Sequence, residues 1–251
     1  MLVSARSFAE YRAMFALTDR DLAQRILDCP GGAASFVAEA GQRGIDAVAV
    51  DREYASHREK LGLLVERETL FKRGQLMREA ADFVWSWYGD PAGLLRERIG
   101  SARLFRSDIT ARPERYLAGA LPQLPFADGS FDLVLSSHLL FSYGNRLGGD
   151  FHRAALLELA RVARREVRIF PVVVYDTGER YDGLERLRED LAGVGIGSRV
   201  ERVAYEFQPG GDEMLVLSCG GYRAQASSEP RVTAFDPVRW RHREGVSRRI
   251  A

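Results

Sequence analysis

The chain lacks several features that would place it in a specialised class of protein. It has two cysteines, Cys29 and Cys219, among 251 residues, too few for a disulfide framework or a structural zinc cluster. No apolar run approaches the roughly 18 residues of a membrane span. Residues 1–20 lack the basic start and apolar core of a signal peptide. We therefore expect a cytoplasmic protein with no membrane association and no metal ligands.

The charge balance also lacks an excess of either sign. Lys and Arg number 36 against 35 Asp and Glu, which gives a formal net charge of +1. Proteins that bind nucleic-acid backbones usually carry a clear basic excess, so nucleic acid is disfavoured as a partner. The apolar share of 46% is normal for a globular chain, and it is sufficient for a sizeable buried core.

Short apolar runs alternate with helical patterns along most of the chain. A strand at 25–28, a glycine-rich turn, a helix at 33–40 and a strand at 47–50 form a βαβ unit with parallel strands. Later segments continue the alternation: strands at 115–119, 131–135 and 167–175, helices at 151–165 (N-capped by Asp150) and 183–194, and a hairpin of 199–207 with 213–218. The order predicts an α/β fold with five parallel strands and a terminal antiparallel hairpin.

Residues 58–112 break this alternation. Apolar pairs recur every six or seven residues up to position 88, which predicts an apolar stripe along helix, and a second short helix is predicted at 92–99. Successive strands of doubly wound folds are usually about 15–25 residues apart. We therefore interpret 58–112 as a helical insertion in a domain of residues 1–221. Its aromatic residues could cover a bound molecule, or its helices could pack on the domain or on a second copy in a homo-oligomer.

Residues 222–251 differ in composition from the rest of the chain. They are rich in arginine and show little apolar periodicity. This pattern predicts a loosely held basic tail after the domain.

Four segments between Arg25 and Ser218 carry a recognisable set of motifs. Ile26-Leu-Asp-Cys-Pro-Gly-Gly-Ala-Ala-Ser-Phe36 places an acid before a glycine-rich turn, and Asp51 ends the second strand. Residues 116–134 read Tyr-Leu-Ala-Gly-Ala-Leu-Pro-Gln-Leu-Pro-Phe, then Asp-Gly-Ser-Phe-Asp-Leu-Val, and a later helix contains Glu158-Leu-Ala-Arg-Val162. With the strand order, these segments resemble the class I S-adenosylmethionine-dependent methyltransferases. The usual three spaced glycines are here Pro30, Gly32 and Ala34.

The resemblance implies a doubly wound, mostly parallel seven-stranded sheet, S-adenosyl-L-methionine as cofactor, and methyl transfer to a small-molecule acceptor. In the family, the acid at Asp28 pairs with the cofactor's amino group and the acid at Asp51 accepts both ribose hydroxyls. The turn must let backbone approach the cofactor, which small residues permit. Ala120 stands where the family has an Asp that hydrogen-bonds the adenine amino group. The backbone at Ala120 and Leu121 would therefore hold the base.

The predicted cofactor-binding residues are Asp28, Pro30, Gly31, Gly32, Asp51, Arg52, Ala120, Leu121 and Ser136. Two alternatives remain open at this point. The turn could be a tight strand-to-helix connection without a ligand, and Asp51 could be a helix N-cap.

Three residues near the expected acceptor site are candidates for the chemistry. His138 follows the fourth strand and is the first candidate for a general base or an acceptor-orienting group. Tyr143 could hydrogen-bond an acceptor, or it could pack at the rim. His152 falls on the apolar arc of its helix, near the positive helix end that disfavours imidazolium. Both histidines could instead be structural, His138 satisfied at a strand end and His152 bonded to backbone in the core.

Two other functions remain possible on the sequence. The glycine motif keeps only one of its three usual spaced glycines, and Ala120 replaces the family's Asp. Both departures favour a protein with the methyltransferase fold that binds a ligand or regulates a partner without turnover. A nucleic-acid-modifying enzyme could use the insertion and the basic tail, but the near-neutral charge disfavours it. The Asn/Asp-Pro-Pro-aromatic signature of amino-group DNA methyltransferases is absent after the fourth strand.

Overall fold

The computed structural model describes residues 5–71 and 80–221. The seven strands are β1 (Ile26–Asp28), β2 (Ala47–Asp51), β3 (Tyr116–Ala118), β4 (Phe131–Ser137), β5 (Ala163–Phe170), β6 (Gly197–Arg202) and β7 (Glu213–Ser218). The α-helices are α1 (Phe8–Met14), α2 (Asp19–Leu22), α3 (Phe36–Gln42), α4 (Arg58–Phe71), α5 (Pro91–Ala111), α6 (Gly149–Val162) and α7 (Leu184–Gly193). Short 3₁₀ helices lie at Arg52–Ala55, Ala80–Asp82, Pro113–Arg115 and Phe141–Tyr143.

The strands form a single sheet in the order β3-β2-β1-β4-β5-β7-β6. Strands β1 to β5 are parallel to one another, and β7 runs antiparallel between β5 and β6. This confirms the predicted fold class. The chain passes from β3 at one edge to β4 beside β1, so the strand order reverses between β1 and β4. Ligands of open α/β sheets bind outside the carboxyl ends of the strands at such a point.

Both faces of the sheet are buried, which explains why its central strands are continuous apolar runs. One core lies under α1, α3 and α5 and includes Ile26, Ala49 and Leu133. The other lies under α6 and α7 and includes Leu27 and Val134. Successive side chains of a strand point to opposite faces, so neighbouring residues of β1 and β4 supply the two cores in turn.

Helix α5 is 21 residues long, where the sequence predicted a short helix at 92–99. Asp90 caps it by accepting from the Gly93 N–H at 2.6 Å. Gly100 lies inside the helix, although glycine costs about 1 kcal/mol relative to alanine there. The continuation is stabilised by packing, because Phe105 and Ile109 are fully buried in the first core. The predicted end near Ile99 was therefore wrong.

The region around β5 also differs from the sequence prediction. Helix α6 begins after Gly148 as N-cap, so Asp150 lies in its first turn and is not the cap. The helix ends at Val162 and not at 165, because Ala163 already pairs with Phe131 of β4. Helices α4 and α5 lie within the predicted insertion 58–112. Its residues 72–79 and the predicted tail at 222–251 lie outside the described residues.

Candidate active site

The turn after β1 is fixed by two side chains from the β2 end. Gly32 has a positive φ of 53°, a conformation that glycine adopts without strain. Its N–H donates to Asp51 Oδ2 at 3.0 Å, and its carbonyl accepts from the Tyr54 hydroxyl at 2.9 Å. A Cβ at Gly31 would lie 2.5 Å from that hydroxyl oxygen, so Gly31 is required by close packing. The glycine pair therefore holds the turn against the end of β2.

Asp51 is 1% exposed and receives two backbone hydrogen bonds. Besides Gly32, the Glu53 N–H donates to Oδ1 at 2.9 Å, so Asp51 also caps the 3₁₀ helix that follows. Burial raises its pKa, and the two backbone hydrogen bonds partly oppose that rise. Each carboxylate oxygen has about two acceptor positions, so both oxygens keep capacity for a ligand's hydroxyl groups.

A cavity of about 100 Å³ opens beside Asp51 at the carboxyl ends of β1, β2 and β3. We call it the Asp51 cavity. Its floor is backbone and small side chains after the strands, and its opposite wall comes from the segment after β4. Its lining residues are Cys29, Pro30, Val50, Asp51, Arg52, Gly119, Ala120, Leu121, Leu139, Tyr143, Arg146, Leu147 and Phe151. Five predicted cofactor residues are thereby brought together: Pro30, Asp51, Arg52, Ala120 and Leu121.

Asp28 is not among the residues that line this cavity. It is 1% exposed, and the Tyr11 hydroxyl lies 3.1 Å from each of its carboxylate oxygens. Burial raises the pKa of Asp28 well above its usual value; the Tyr11 hydrogen bond opposes this, and the charge of Asp51 adds to it. The Tyr11 hydroxyl of α1 thus hydrogen-bonds to Asp28 in this structure, and the contact of Asp28 with a cofactor amino group stays a prediction.

Three further predicted cofactor residues lie behind the cavity wall. Gly31 and Gly32 shape the turn without lining the cavity. Ser136 is fully buried within β4, and its hydroxyl oxygen has no hydrogen-bond partner in the described residues. Their contribution to a bound cofactor would be through backbone position.

A second cavity, of about 160 Å³, lies at the carboxyl ends of β4 and β5. We call it the His138 cavity. Its lining residues are Arg6, Phe83, Leu94, Arg98, His138, Ser142, Tyr143, Phe170, Pro171, Tyr175, Tyr205, Phe207, Gln208 and Gly211. Tyr143 also lines the Asp51 cavity. The two cavities therefore share a wall at the 3₁₀ helix Phe141–Tyr143.

His138 is held in a conformation that side chains rarely adopt. Its φ is 50°, and its N–H donates to the Phe170 carbonyl at 2.7 Å. Imidazole Nδ1 lies 2.7 Å from the Ser137 hydroxyl oxygen. Burial, followed by the positive charges of Arg6 and Arg98, lowers the pKa of His138 well below its usual value. The ring is therefore neutral near pH 7. Backbone strain of this kind costs about 1–3 kcal/mol and often accompanies a functional site.

Comparison with known proteins agrees with this geometry. Residues 90–170 match the family model of a methyltransferase domain. The matched segment runs from the N-cap of α5 to the end of β5 and includes the Ala120–Leu121 loop and His138. Over this segment the chain is similar to methyltransferase domains. The strand order given above is independent support for the fold.

The chain also resembles individual proteins at low identity. It is 28% identical over 213 residues to the uncharacterized protein MJ0045 of Methanocaldococcus jannaschii, covering 84% of this chain and 93% of that protein. A solved magnesium protoporphyrin IX methyltransferase of Synechocystis PCC 6803 with bound SAM overlaps with a TM-score of 0.47 at 14% identity, over 86% of this chain and 78% of that chain. A 1,6-didemethyltoxoflavin-N1-methyltransferase of Burkholderia thailandensis overlaps at 0.42 and 15%, over 84% and 75%.

His152, predicted as a third catalytic candidate, lies in the core and lines neither cavity. Its side chain is fully buried. Nδ1 lies 3.0 Å from the Gly148 carbonyl and Nε2 lies 3.0 Å from the Leu140 carbonyl. The ring stacks on Tyr181 at a centroid distance of 4.8 Å. This is the structural alternative that the sequence left open, a core histidine bonded to backbone.

The fold also contains a buried polar cluster that sequence reasoning missed. Glu10 of α1 is 0% exposed, and both its oxygens lie 2.7 Å from Arg98 Nη1. The Tyr88 hydroxyl donates to Glu10 at 2.5 Å and lies 2.6 Å from the Tyr205 hydroxyl. The cluster thus joins α1, α5 and the segment before β7 behind the His138 cavity. The sequence signal was the capping box Ser7-x-x-Glu10, which locates a helix start but not the partner 88 residues away.

None of the helices in the described ranges is both long and apolar enough to cross a membrane.

Proposed function

We propose that this domain binds S-adenosyl-L-methionine in the Asp51 cavity and methylates a small molecule bound in the His138 cavity. The observation that carries the proposal is the pair of adjoining cavities at the carboxyl ends of β1 to β5, with Tyr143 in the wall of both. A transfer reaction needs two molecules held side by side.

The residues of the Asp51 cavity suit an adenosine. The Asp51 carboxylate would accept the two ribose hydroxyls, since a carboxylate takes two hydrogen bonds at once. Pro30 and Val50 offer apolar surface, and backbone at Ala120 and Leu121 would hold the adenine, as the sequence predicts. The glycine turn fixes Asp51 through the Gly32 N–H.

The bound cofactor supplies a methyl group already activated by its positive sulfur. The chain's own task is then to place and orient the acceptor. Neutral His138 can accept a hydrogen bond from an acceptor O–H or N–H. Because its pKa is lowered, His138 is a weak base, so we assign it orientation of the acceptor and not strong proton abstraction. Tyr143, which lines both cavities, would border both bound molecules.

Titration calorimetry with S-adenosylhomocysteine tests the cofactor assignment. The wild type should bind it, and Asp51→Ala should weaken binding by about 1–3 kcal/mol, the range of hydrogen bonds to a charged group, or roughly 5- to 150-fold in Kd. Asp46→Ala is the matched control, because exposed Asp46 immediately precedes β2 at the end opposite the cavity. Absence of binding by the wild type, or equal affinities of the wild type and Asp51→Ala, would contradict the proposal.

A second candidate function is a methyltransferase-fold protein that binds a ligand without turnover. The hydrogen bonds between the Tyr11 hydroxyl and Asp28 favour this second function, because the carboxylate expected to bind the cofactor does not line either cavity. Binding of S-adenosylhomocysteine without methyl transfer to any compound of a broad acceptor panel would support this alternative.

A further inference from the structure

The His138 cavity contains more positive than negative charge. Arg6 and Arg98 both line it, and no carboxylate is among its described lining residues. Arg98 is neutralised by the ion pair with Glu10 at 2.7 Å, behind the cavity. Arg6 forms no ion pair within the described residues, and its Nε is buried without a hydrogen-bond partner. One guanidinium is thus left for a ligand to neutralise.

The remaining wall of the cavity is largely aromatic. Phe83 stacks on Phe207 with parallel rings 4.5 Å apart. Phe170 meets Tyr205 edge-on at 5.8 Å. Flat aromatic surfaces pack best against another planar group, face or edge. Gln208 fixes one end of the wall by donating to the carbonyls of Val174 and Tyr175.

The size of the cavity limits what it can hold. A cavity of about 150 Å³ lined by apolar side chains accommodates benzene, and the His138 cavity measures about 160 Å³. A single substituted ring therefore fits this cavity.

We propose that the methyl acceptor is a small aromatic acid, with its ring against Phe170, Tyr205 and Phe207 and its carboxylate or other anionic group on Arg6. The inference rests on the proposed function, because it takes the His138 cavity as the acceptor site. The charge of Arg6 favours an anion, because this half-buried guanidinium has a buried Nε without a hydrogen-bond partner in the described residues and an anionic group would neutralise it. It disfavours a cationic amine for the same reason.

The cofactor's own carboxylate is the competing source of an anion for Arg6, and the test separates the two. Binding of benzoate, 4-hydroxybenzoate and the matching benzamides is measured by calorimetry on the full chain saturated with S-adenosylhomocysteine. We expect the acids to bind at least tenfold more tightly than the amides. Arg6→Gln should remove this preference while S-adenosylhomocysteine affinity stays within twofold. Arg20→Gln, an exposed arginine of α2, should change neither.

Three results would overturn the inference. Equal binding of acids and amides by the wild type would show that charge does not select the ligand, and this measurement needs no variant. Absence of binding by any of the aromatic acids would do the same. A tenfold loss of S-adenosylhomocysteine affinity in Arg6→Gln would assign Arg6 to the cofactor. Failure of the wild type to bind S-adenosylhomocysteine at all would instead refute the proposed function.

Discussion

Replacement of Glu10 by Gln tests the buried cluster that supports the His138 cavity. The Glu10 side chain is 0% exposed and that of Arg98 is 13% exposed. Besides Arg98 and Tyr88, the carboxylate accepts from the Ser7 N–H at 2.8 Å. Gln nearly preserves the shape of Glu but removes the negative charge. Arg98 is then left as a buried cation without a counter-charge.

The expected loss of stability is large. Removing one partner of a buried ion pair typically costs about 3–5 kcal/mol. In a chain of this size, each kcal/mol shifts the melting temperature by about 2–4 °C, so Glu10→Gln should melt about 6–20 °C below the wild type. Arg12→Gln breaks an exposed ion pair to Asp19, with side chains 47% and 95% exposed, and should cost at most about 1 kcal/mol.

The dependence on pH gives an independent check of the same cluster. Burial raises the pKa of Glu10, but the charges of Arg98 and Arg6 and the hydrogen bonds outweigh it, so the net shift is downward. A carboxyl group whose pKa is lowered by folding stabilises the fold at pH values above its unfolded-state pKa, which is about 4.3 for glutamate. This contribution is lost as the pH falls through the folded-state pKa. The gap between wild type and Glu10→Gln should therefore narrow in acid.

Urea and thermal unfolding of four proteins decide the question: the wild type, Glu10→Gln, Arg98→Met and the double variant. If the two groups interact as described, the double variant should be less destabilised than the sum of the single variants. Strict additivity, or a Glu10→Gln cost as small as that of Arg12→Gln, would refute the argument that this pair is buried and coupled.

Three smaller predictions follow from the site. Asp28→Asn should gain stability relative to the wild type as pH rises above about 4. The pKa of Asp28 is raised in the folded state, so the protonated carboxyl stabilises the fold at pH values below the unfolded-state pKa, and this contribution is lost as pH rises. Melting curves at several pH values in which the stability difference between the two proteins does not widen would contradict this. Gly31→Ala should cost about 1–3 kcal/mol by overpacking against Tyr54, measured by urea unfolding, and a neutral result would show that the turn can move. His152→Phe should lose about 1–3 kcal/mol, because the Leu140 carbonyl loses its contact with the ring, whereas the Gly148 carbonyl keeps the backbone N–H of residue 152. S-adenosylhomocysteine affinity should be retained, and a stable variant that no longer binds would return His152 to the site.

The strand order and the position of Asp51 could be predicted from the sequence because both depend on local patterns. Buried parallel strands are short apolar runs, and the residue after such a run lies at the carboxyl edge of the sheet. The glycine-rich turn and the Ala120–Leu121 loop lie at that same edge. Local patterns are therefore sufficient to place Pro30, Asp51, Ala120 and Leu121 at one edge of the sheet, where they line the Asp51 cavity.

What only the tertiary structure decided are contacts between residues far apart in the chain. Tyr11 covers Asp28, and Glu10 pairs with Arg98 across 88 positions. The lowered pKa of His138 likewise depends on burial and on two arginines from other elements. Periodicity reports which face of an element is buried, but not which element packs against it, so no local pattern could show which polar groups were already paired and which were left for a ligand.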